Sequence, residues 1–517
     1  MPEFEKLGGD YKTDALIVGG GMAGLMCARL LTDAGVECAV VEKGRICGGV
    51  TKNTTAKITA QHGAIYSKLI KTLGREKAQM YLKANLEAVE GIADMCKNID
   101  CNFERKDAFL YSGKETEELD AEADALKELG YNTEIGRCDL PFEEAVGIKM
   151  PNQAQFEPLK FLRSLVNGLT VFENTEVISI KGSTAFTDTG KISAESIIVA
   201  THFPFINTKG LYSLKMYQER SYVTALENAC DIGGIYTPIK SGGISMRNAG
   251  EYLLIGGFGG RTGSPCGAWD ALGSFAKDKL PNAKEKYRWA AQDCMTLDSV
   301  PYIGRYSASS PQLYVATGFN KWGMTSSFAA ASVLRDMITT GGSEYAELFN
   351  PQRSMMRKQL LINGFKYASS LLKPFGNRCP HLGCRLEWNG AEHSWDCPCR
   401  MVPADSRRIS RVPRYSGYHW ALTSLHIRGS HPLWPDFPER SVRDPSAVAW
   451  SYYPDAALPQ RRFGLFPGRS PLLGESLLFS LPRGTKMFQF PRFASSHNMM
   501  MTVLQTAGLS HSEIRGS

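Results

Sequence analysis

Short apolar runs and one amphipathic segment alternate over the first 45 residues of the chain. The run ALIV at 15–18 predicts a buried strand, and the run at 39–41 predicts a second strand that ends at Glu42. Between them, apolar positions recur with helical spacing over 23–34. Gly19, Gly21 and Gly24 lie between the first strand and the helix in the spacing G-x-G-x-x-G. This order of elements predicts a Rossmann-like α/β unit.

The glycine spacing also predicts a bound dinucleotide. Gly19 permits a tight turn, Gly21 permits close approach of a pyrophosphate, and Gly24 permits close packing of helix on strand. The helix N-terminus attracts phosphate charge. Glu42 lies 18 residues after Gly24, where a carboxylate can accept hydrogen bonds from ribose hydroxyls. The alternative is a glycine-rich turn in some other α/β protein.

Three later segments favour FAD over NAD. The segment GGVTKNTTAKITAQHG at 48–63 is dense in small and hydroxyl residues. FENTEVISI and SIIVATHFPF predict an adenine-side strand and a strand that ends at Ala200, Thr201 and His202. Residues 313–338 predict a strand, a glycine turn and a second helix, whose N-terminus can favour negative charge on a flavin.

These motifs resemble the D-amino-acid-oxidase-like family of FAD-dependent oxidoreductases over residues 10–345. With TTAKITAQHG, ATHFPF and GFNKWGMT, the chain resembles the bacterial branch that carries a C-terminal Rieske [2Fe-2S] domain. The resemblance implies FAD as cofactor and an amine or amino acid as substrate. The residues that it and the motifs place near FAD are Gly19, Gly21, Gly24, Glu42, Lys43, Thr54, Thr55, Val177, Ala200, Thr201, Gly318, Trp322, Gly323, Met324 and Thr325.

The expected domain plan has an FAD-dependent oxidoreductase domain at 1–350. Its FAD-binding parts are about 10–69, 151–205 and 291–345. Two insertions, a charged helical one at about 70–150 and a strand-like one at about 206–290, predict an α+β substrate cap. A substrate pocket is expected between cap and flavin.

Three residues are candidates for substrate contact or catalysis. Arg247 could clamp a substrate carboxylate, or it could be an ordinary exposed strand arginine. Tyr111 could contact substrate or form part of an amphipathic wall. His62 could contact the flavin or cap a turn. Hydride transfer from an amine mainly needs the neutral amine held in place, so no dedicated base is required by the sequence.

Four cysteines and two histidines lie between Cys379 and Arg400. Rieske centres use two thiolates and two imidazoles. By the resemblance, Cys379, His381 and Cys397 match three ligands, and Cys384 and Cys399 match a disulfide pair. The fourth ligand is missing, because Arg400 is always cationic and ligates no metal. The cluster is therefore expected to be absent or unstable, with 355–399 a truncated all-β Rieske-like segment. The remaining alternatives are zinc held by these side chains and unoccupied thiols.

The segment 400–517 is an irregular tail of different character. It contains 14 Arg, 1 Lys and 7 acidic residues, and it holds 12 of the 26 prolines. The preceding residues have 44 basic and 45 acidic side chains, so the basic charge belongs to the tail and gives no argument for a nucleic-acid-binding body. Arg-Met-Val-Pro can be encoded so that a shifted frame reads His-Gly-Ser, which predicts a reading-frame change at 399/400. A genuine extension that binds an acidic partner or RNA is the alternative.

The leading functional prediction is a flavoenzyme that oxidises an amino acid or related amine by hydride transfer to FAD. With an impaired Rieske relay, reoxidation would need oxygen or an external acceptor. The alternatives are a non-catalytic or degenerate flavin-binding protein and a metal-centre electron-transfer protein. The scattered cysteines outside the cluster and the absence of a long apolar run predict a reducing, cytoplasmic location without a membrane span.

Overall fold

The first sheet is built around strand β1 (Tyr11–Val18), whose last four residues are buried. The computed structural model describes residues 1–142, 144–206, 209–240, 242–263, 267–354, 360–364, 385–388 and 393–396. Strands and helices are numbered along the chain. The other strands of this sheet are β2 (Cys38–Val41), β7 (Thr170–Phe172), β8 (Val177–Lys181), β9 (Thr184–Thr187), β10 (Lys191–Val199), β16 (Tyr302–Arg305) and β17 (Leu313–Thr317).

The sheet order is β16-β17-β10-β1-β2-β7. β17, β10, β1, β2 and β7 are parallel neighbours, whereas β16 is antiparallel to β17 and the β8–β9 hairpin joins the start of β10. Apolar side chains cover both faces of the central strands, as parallel sheets require. The carboxyl ends of β1, β10 and β17 therefore meet at one edge of the sheet.

Some helices pack against this sheet, and others pack against a second sheet that is described next. They are α1 (Met22–Asp33), α2 (Tyr66–Leu73), α3 (Arg75–Cys96), α4 (Glu117–Glu128), α5 (Pro158–Leu165), α6 (Tyr212–Lys215), α7 (Ala268–Lys279), α8 (Gly323–Thr339) and α9 (Ala346–Phe349). α1 packs on α8, and Leu25, Met26 and Ala28 of α1 have no exposed surface.

A second, mixed sheet forms the cap. Its strands are β3 (Lys57–Ile58), β4 (Glu104–Ser112), β5 (Ile135–Cys138), β6 (Ala145–Gln155), β11 (Met216–Glu227), β12 (Ile235–Pro238), β13 (Ile244–Ala249), β14 (Tyr252–Arg261) and β15 (Lys284–Thr296). The order is β15-β11-β14-β13-β12-β4-β6-β3, with β5 beside β6. Neighbours are antiparallel except β12 and β4.

The structure confirms the predicted α/β body and α+β cap, with three differences in detail. β1 begins at Tyr11 because its polar, alternating first half pairs with β10. FENTEVISI forms two strands, β7 and β8, separated by a turn at Asn174 with φ 50°. The first insertion is not only helical. Its segment ERKDAFLYS joins the cap sheet as β4 and pairs with β6, with Ala108 and Leu110 buried.

The described part of the Rieske-like segment consists of a helical stretch at 360–364 and one antiparallel pair of strands. β18 (Arg385–Trp388) pairs with β19 (His393–Asp396), with Arg385 opposite Asp396. The predicted metal ligands Cys379, His381 and Cys397, the missing-ligand position Arg400 and the predicted disulfide pair Cys384 and Cys399 lie outside the described residues, as does the tail.

Candidate active site

The glycine turn brings β1, α1 and β10 into very close contact. A Cβ atom at Gly19, which has φ 112°, would lie 2.6 Å from the carbonyl oxygen of Ala200, and one at Gly24 would lie 1.9 Å from the carbonyl oxygen of Gly19. The turn therefore requires glycine at both positions. Gly24 lies beneath the turn, whereas Gly19 and Gly21 line a large cavity.

The N-terminus of α1 faces this cavity without a side-chain cap. Gly21 precedes the helix, the first turn contains no acidic residue, and the amides of Ala23 and Gly24 have no acceptor among the described residues. Met22 N donates to Thr51 Oγ1 at 3.1 Å. The free amides and the positive end of the helix dipole are what a bound pyrophosphate needs.

Glu42 lies at the end of β2, beside the turn. Its carboxylate accepts hydrogen bonds from Gly20 N at 2.9 Å and Gly44 N at 3.0 Å, so its orientation is fixed. Lys43 follows it, and Thr175 and Val177 complete this end of the cavity. The arrangement places a fixed carboxylate where the dinucleotide motif predicts ribose hydroxyls.

A second uncapped helix terminus lies at the other end of the cavity. α8 begins at Gly323 after Trp322, with no side-chain cap and no acidic residue in its first turn. Gly318, Trp322, Gly323 and Met324 line the cavity there. Gly318 has φ 73°, and a Cβ atom at this position would lie 2.3 Å from Thr296 Cγ2.

The cavity between body and cap has a volume of about 1270 Å³. Drug-sized ligands occupy pockets of roughly 300–1,000 Å³, so this cavity has room for a dinucleotide and a small second molecule. Of the residues predicted to bind FAD, those that line it are Gly19, Gly21, Glu42, Lys43, Thr54, Thr55, Val177, Ala200, Thr201, Gly318, Trp322, Gly323 and Met324. Gly24 and Thr325 are buried directly behind this lining.

His62 lies in the cavity wall with both ring nitrogens engaged. Nε2 donates to the Thr59 carbonyl at 2.8 Å, so Nδ1 accepts from the Tyr81 hydroxyl at 2.7 Å. The ring stacks on Trp322 with centroids 4.7 Å apart, and Nε2 lies 3.0 Å from Thr325 Oγ1. Burial lowers the pKa of His62 to about 3, so the ring is neutral. His62 therefore fixes the start of α8, and no ring nitrogen is available to a substrate.

Arg247 and Tyr111 lie outside the cavity lining, contrary to the expectation of substrate contact. The Arg247 side chain is buried, with Nε donating to the Thr55 carbonyl and Nη1 to the Asn248 carbonyl at 2.9 Å. Tyr111 donates to the Ile244 carbonyl at 2.7 Å and packs on Tyr236. Arg247 thus links β13 to the segment that precedes β3, and Tyr111 links β4 to β13.

Lys57 is a cavity residue that the sequence analysis missed. It begins β3, two residues after Thr55, and its Nζ donates to Ser245 Oγ on β13 at 2.6 Å. Burial, and then the nearby Arg247 guanidinium, lowers the pKa of Lys57 to about 7. A lysine between hydroxyl residues in TTAKIT was the available signal, although only the tertiary contact with the cap distinguishes it from a surface lysine.

A charged cluster from the cap lies at the end of the cavity formed by β11 and β15. Glu219 pairs across the strands with Asp293, and Lys321 forms an ion pair with Glu219 at 2.8 Å. Burial raises the pKa of Asp293 to about 6, with Glu219 adding to the rise and Lys321 opposing it. No arginine lines the described cavity. The sequence did not predict this cluster, because 74 positions separate Glu219 from Asp293.

Comparison with known proteins agrees with this fold and cavity. The chain belongs to the family described as DAO, FAD dependent oxidoreductase, whose model matches residues 14–337. It is 31% identical over 464 residues to the putative Rieske 2Fe-2S iron-sulfur protein YhfW of Bacillus subtilis, covering 77% of this chain and 91% of that protein. It is 23% identical over 393 residues to gamma-glutamylputrescine oxidoreductase of Escherichia coli, covering 67% of this chain and 88% of that protein.

Solved structures show the same fold. Glycine oxidase from Geobacillus kaustophilus superposes with a TM-score of 0.57 at 18% identity, covering 67% of this chain and all of that one. L-proline dehydrogenase from P. horikoshii also gives 0.57 at 18% identity, covering 66% of this chain and 98% of that one. The predicted family and enzyme class are thus confirmed: the chain is an FAD-dependent oxidoreductase with amino-acid oxidases and dehydrogenases as structural neighbours. Within the described residues, no helix combines the length and apolar character that crossing a membrane demands.

Proposed function

We propose that this protein oxidises a small amine or amino acid with FAD bound along the glycine turn and its flavin between α8 and the cap sheet. One observation carries the proposal: two uncapped helix N-termini, those of α1 and α8, face one cavity of about 1270 Å³. Each terminus favours negative charge. An extended cofactor with a diphosphate at one end and an electron-accepting ring at the other would use both termini.

The residues of the chain fit FAD in three places. The free amides of α1 would hold the pyrophosphate, and the fixed carboxylate of Glu42 would accept from the ribose. The amides of Gly323 and Met324 would face the ring, with His62 holding that terminus in position. When bound, FAD supplies a two-electron acceptor for the hydride of a carbon–nitrogen substrate.

The substrate would lie against the cap sheet. Ser221 on β11 pairs with Ala291 on β15, and Gly257 on β14 pairs with Tyr222, the residue after Ser221. Ser221, Gly257 and Ala291 line the cavity with small or absent side chains. Around this surface, Lys57 and the cluster of Glu219, Asp293 and Lys321 supply polar contacts. The mixture of acid and lysine side chains suits a zwitterion or a diamine. The Escherichia coli relative is named for γ-glutamylputrescine, which makes that compound a reasonable member of a substrate panel.

The Rieske relay is expected to be impaired in this chain. The relative YhfW is named as a Rieske protein, and residues that match three of the four ligands are present in the sequence here, but Arg400 stands where the second imidazole is expected. A change of reading frame at Cys399/Arg400 would account for the missing His-Gly-Ser.

An anaerobic substrate screen tests the enzymatic proposal. Holoprotein is mixed without oxygen with glycine, L-proline, other amino acids of both configurations, diamines and γ-glutamylputrescine, and the flavin absorbance is followed. Bleaching by at least one compound is expected. A protein that holds FAD but is bleached by dithionite alone would be a flavin-binding protein without this activity.

Metal analysis tests the impaired relay separately. Iron well below two atoms per chain, and no Rieske signal in the electron paramagnetic resonance spectrum of the reduced protein, are expected. A full Rieske signal from this chain would show that Arg400 does not prevent assembly. Sequencing the coding DNA should reveal His-Gly-Ser followed by strand-like sequence in a shifted frame after Cys399.

A further inference from the structure

Lys57 has an unusual position between the body and the cap. Its backbone belongs to β3, paired with β6 at Gln155, while its ammonium nitrogen reaches Ser245 Oγ on β13 at 2.6 Å. The preceding residue, Ala56, is fully buried with φ 50°, a left-handed conformation that costs an alanine about 1–2 kcal/mol. The chain therefore accepts backbone strain one residue before Lys57, as functional sites often do.

The charges around Lys57 leave it without an acid. No described carboxylate forms an ion pair with Nζ. On β13 its neighbours are Ser245 and the buried Arg247, and on β6 Gln155 donates to Glu104 Oε2 at 3.2 Å and to the Asn248 carbonyl at 3.0 Å. Glu104 and Glu157 partly oppose the lowering of the pKa of Arg247 that burial causes. The partly buried ammonium of Lys57 lies near the buried Arg247 guanidinium and has no acidic partner, so its neutral form is accessible near neutral pH.

The side chain also faces the reaction space. Lys57, Thr54, Thr55 and Ser245 line the cavity, whereas Arg247 lies behind them. Amine substrates are mostly protonated at neutral pH, and an ammonium nitrogen has no lone pair to assist departure of hydride from the adjacent carbon. A base that is neutral near pH 7 and reaches the cavity meets this need.

We propose that Lys57 is the base that accepts the proton from the ammonium form of the substrate. This inference rests on the proposed amine oxidation. An N–H bond of the substrate ammonium breaks, and the proton forms an N–H bond with Lys57 Nζ. The lone pair left on the substrate nitrogen would then support departure of hydride from the adjacent carbon, for which bound FAD would be the two-electron acceptor, and the product would be an iminium. The ammonium of Lys57 keeps its hydrogen bond to Ser245 until it returns the proton to solvent.

Three variants separate this role from others. Lys57→Met removes the base, and Lys57→Arg keeps a cation and a donor but cannot become neutral near pH 7. Lys149→Met is the matched control, because Lys149 lies on β6 with a half-exposed side chain paired to Asp107 outside the cavity. FAD content and the oxidised flavin spectrum are recorded for each protein before any kinetic measurement.

The kinetic test follows anaerobic flavin reduction between pH 6 and 10, using the compound from the panel that bleaches wild type fastest. Wild type should show a rise with an apparent pKa near 7. Lys57→Met and Lys57→Arg should both be slower by about 100-fold or more and should lack that rise, as expected for a lost general base. Lys149→Met should resemble wild type in rate and profile. A Lys57→Arg protein with the wild-type rate would overturn the proposal, because it would show that only positive charge is needed.

A second readout does not depend on turnover. The absorbance of oxidised, substrate-free holoprotein is titrated with base, and the resting protein is labelled with acetic anhydride at a series of pH values and mapped by mass spectrometry. The absorbance of wild type should change near pH 7, and that of Lys57→Met should not. In the labelling experiment, Lys57 should become reactive at a pH several units lower than Lys149 does. Reactivity of Lys57 that appears only near pH 10 would overturn the proposal. If no compound bleaches wild type, the enzymatic proposal fails, whereas bleaching of both Lys57 variants at wild-type rates removes Lys57 alone.

Discussion

Replacing Gly24 with alanine tests whether the glycine turn is as tightly closed as the structure indicates. The added Cβ atom would lie 1.9 Å from the Gly19 carbonyl oxygen, about 1.5 Å short of the 3.4 Å at which ordinary contact begins. The atom that it meets belongs to the backbone, so no side chain can rotate away. α1 cannot withdraw easily either, because Leu25, Met26 and Ala28 are fully buried against the sheet and α8.

The expected magnitude follows from this geometry. Forcing one extra methyl group into a well-packed site costs about 1–3 kcal/mol, and a contact with backbone belongs at the upper end. If the turn keeps its shape, the apoprotein loses about 3 kcal/mol of unfolding free energy. If the turn opens, the amides that face the cavity move, and a loss of about 3 kcal/mol in binding corresponds to about 100-fold weaker FAD affinity. The two losses together should come to about 3 kcal/mol.

Two measurements on apoprotein check this expectation: the denaturant midpoint without FAD, and the FAD dissociation constant from flavin fluorescence. Gly136→Ala is the matched control, since it adds the same methyl group on β5 with no atom within 4 Å. The reasoning is refuted if Gly24→Ala keeps both the wild-type midpoint and the wild-type affinity. A loss of similar size in Gly136→Ala would point to a general effect of the added methyl group.

Three further predictions concern buried polar groups. Arg353→Met should lower the unfolding free energy by about 3–5 kcal/mol, because it removes the bidentate partner of the buried Asp298 carboxylate, with both contacts at 2.7 Å. Denaturant unfolding measures this loss, and a loss below about 1 kcal/mol would contradict the prediction. Tyr81→Phe should lower the unfolding free energy by about 1–3 kcal/mol, because it leaves His62 Nδ1 without its hydrogen-bond donor. The pH profile of flavin reduction should not change, and an altered profile would mean that His62 exchanges protons during the reaction. The pKa of Lys57 is about 7 in the folded protein and near 10.5 in the unfolded chain, so the folded protein binds fewer protons between these pH values. The unfolding free energy of wild type, relative to that of Lys57→Met, should therefore rise from pH 7 to 10.5 and be lowest below pH 7. Denaturant unfolding at several pH values measures this difference, and a difference that does not change with pH would contradict the prediction.

The cofactor half of the site could be read from the sequence because its determinants are local. Gly19 and Gly24 lie within six positions of each other, and the strand, turn and helix that they join are consecutive in the chain. A close backbone approach at such a turn permits only glycine, so the residue type reveals the geometry. The same holds for Gly318, where a left-handed turn precedes the second helix.

The substrate half could not be read in the same way. From the sequence alone, Arg247 and Lys57 are equally good candidates for a cation in the cavity. In the structure, Arg247 donates to the Thr55 carbonyl, whereas Lys57 donates to Ser245. Glu219 and Asp293 become neighbours only through the register of β11 and β15. Which face of a strand meets the cavity depends on pairings between residues far apart in the chain.

The sequence by itself therefore determined the family, the cofactor and the α/β body, because glycine spacing and apolar periodicity act over a few neighbouring residues. Only the tertiary structure decided which polar side chains share the reaction space, and with what protonation. Burial and distant charges set those properties, as the pKa of Lys57 shows, and neither is a property of a residue's sequence neighbours.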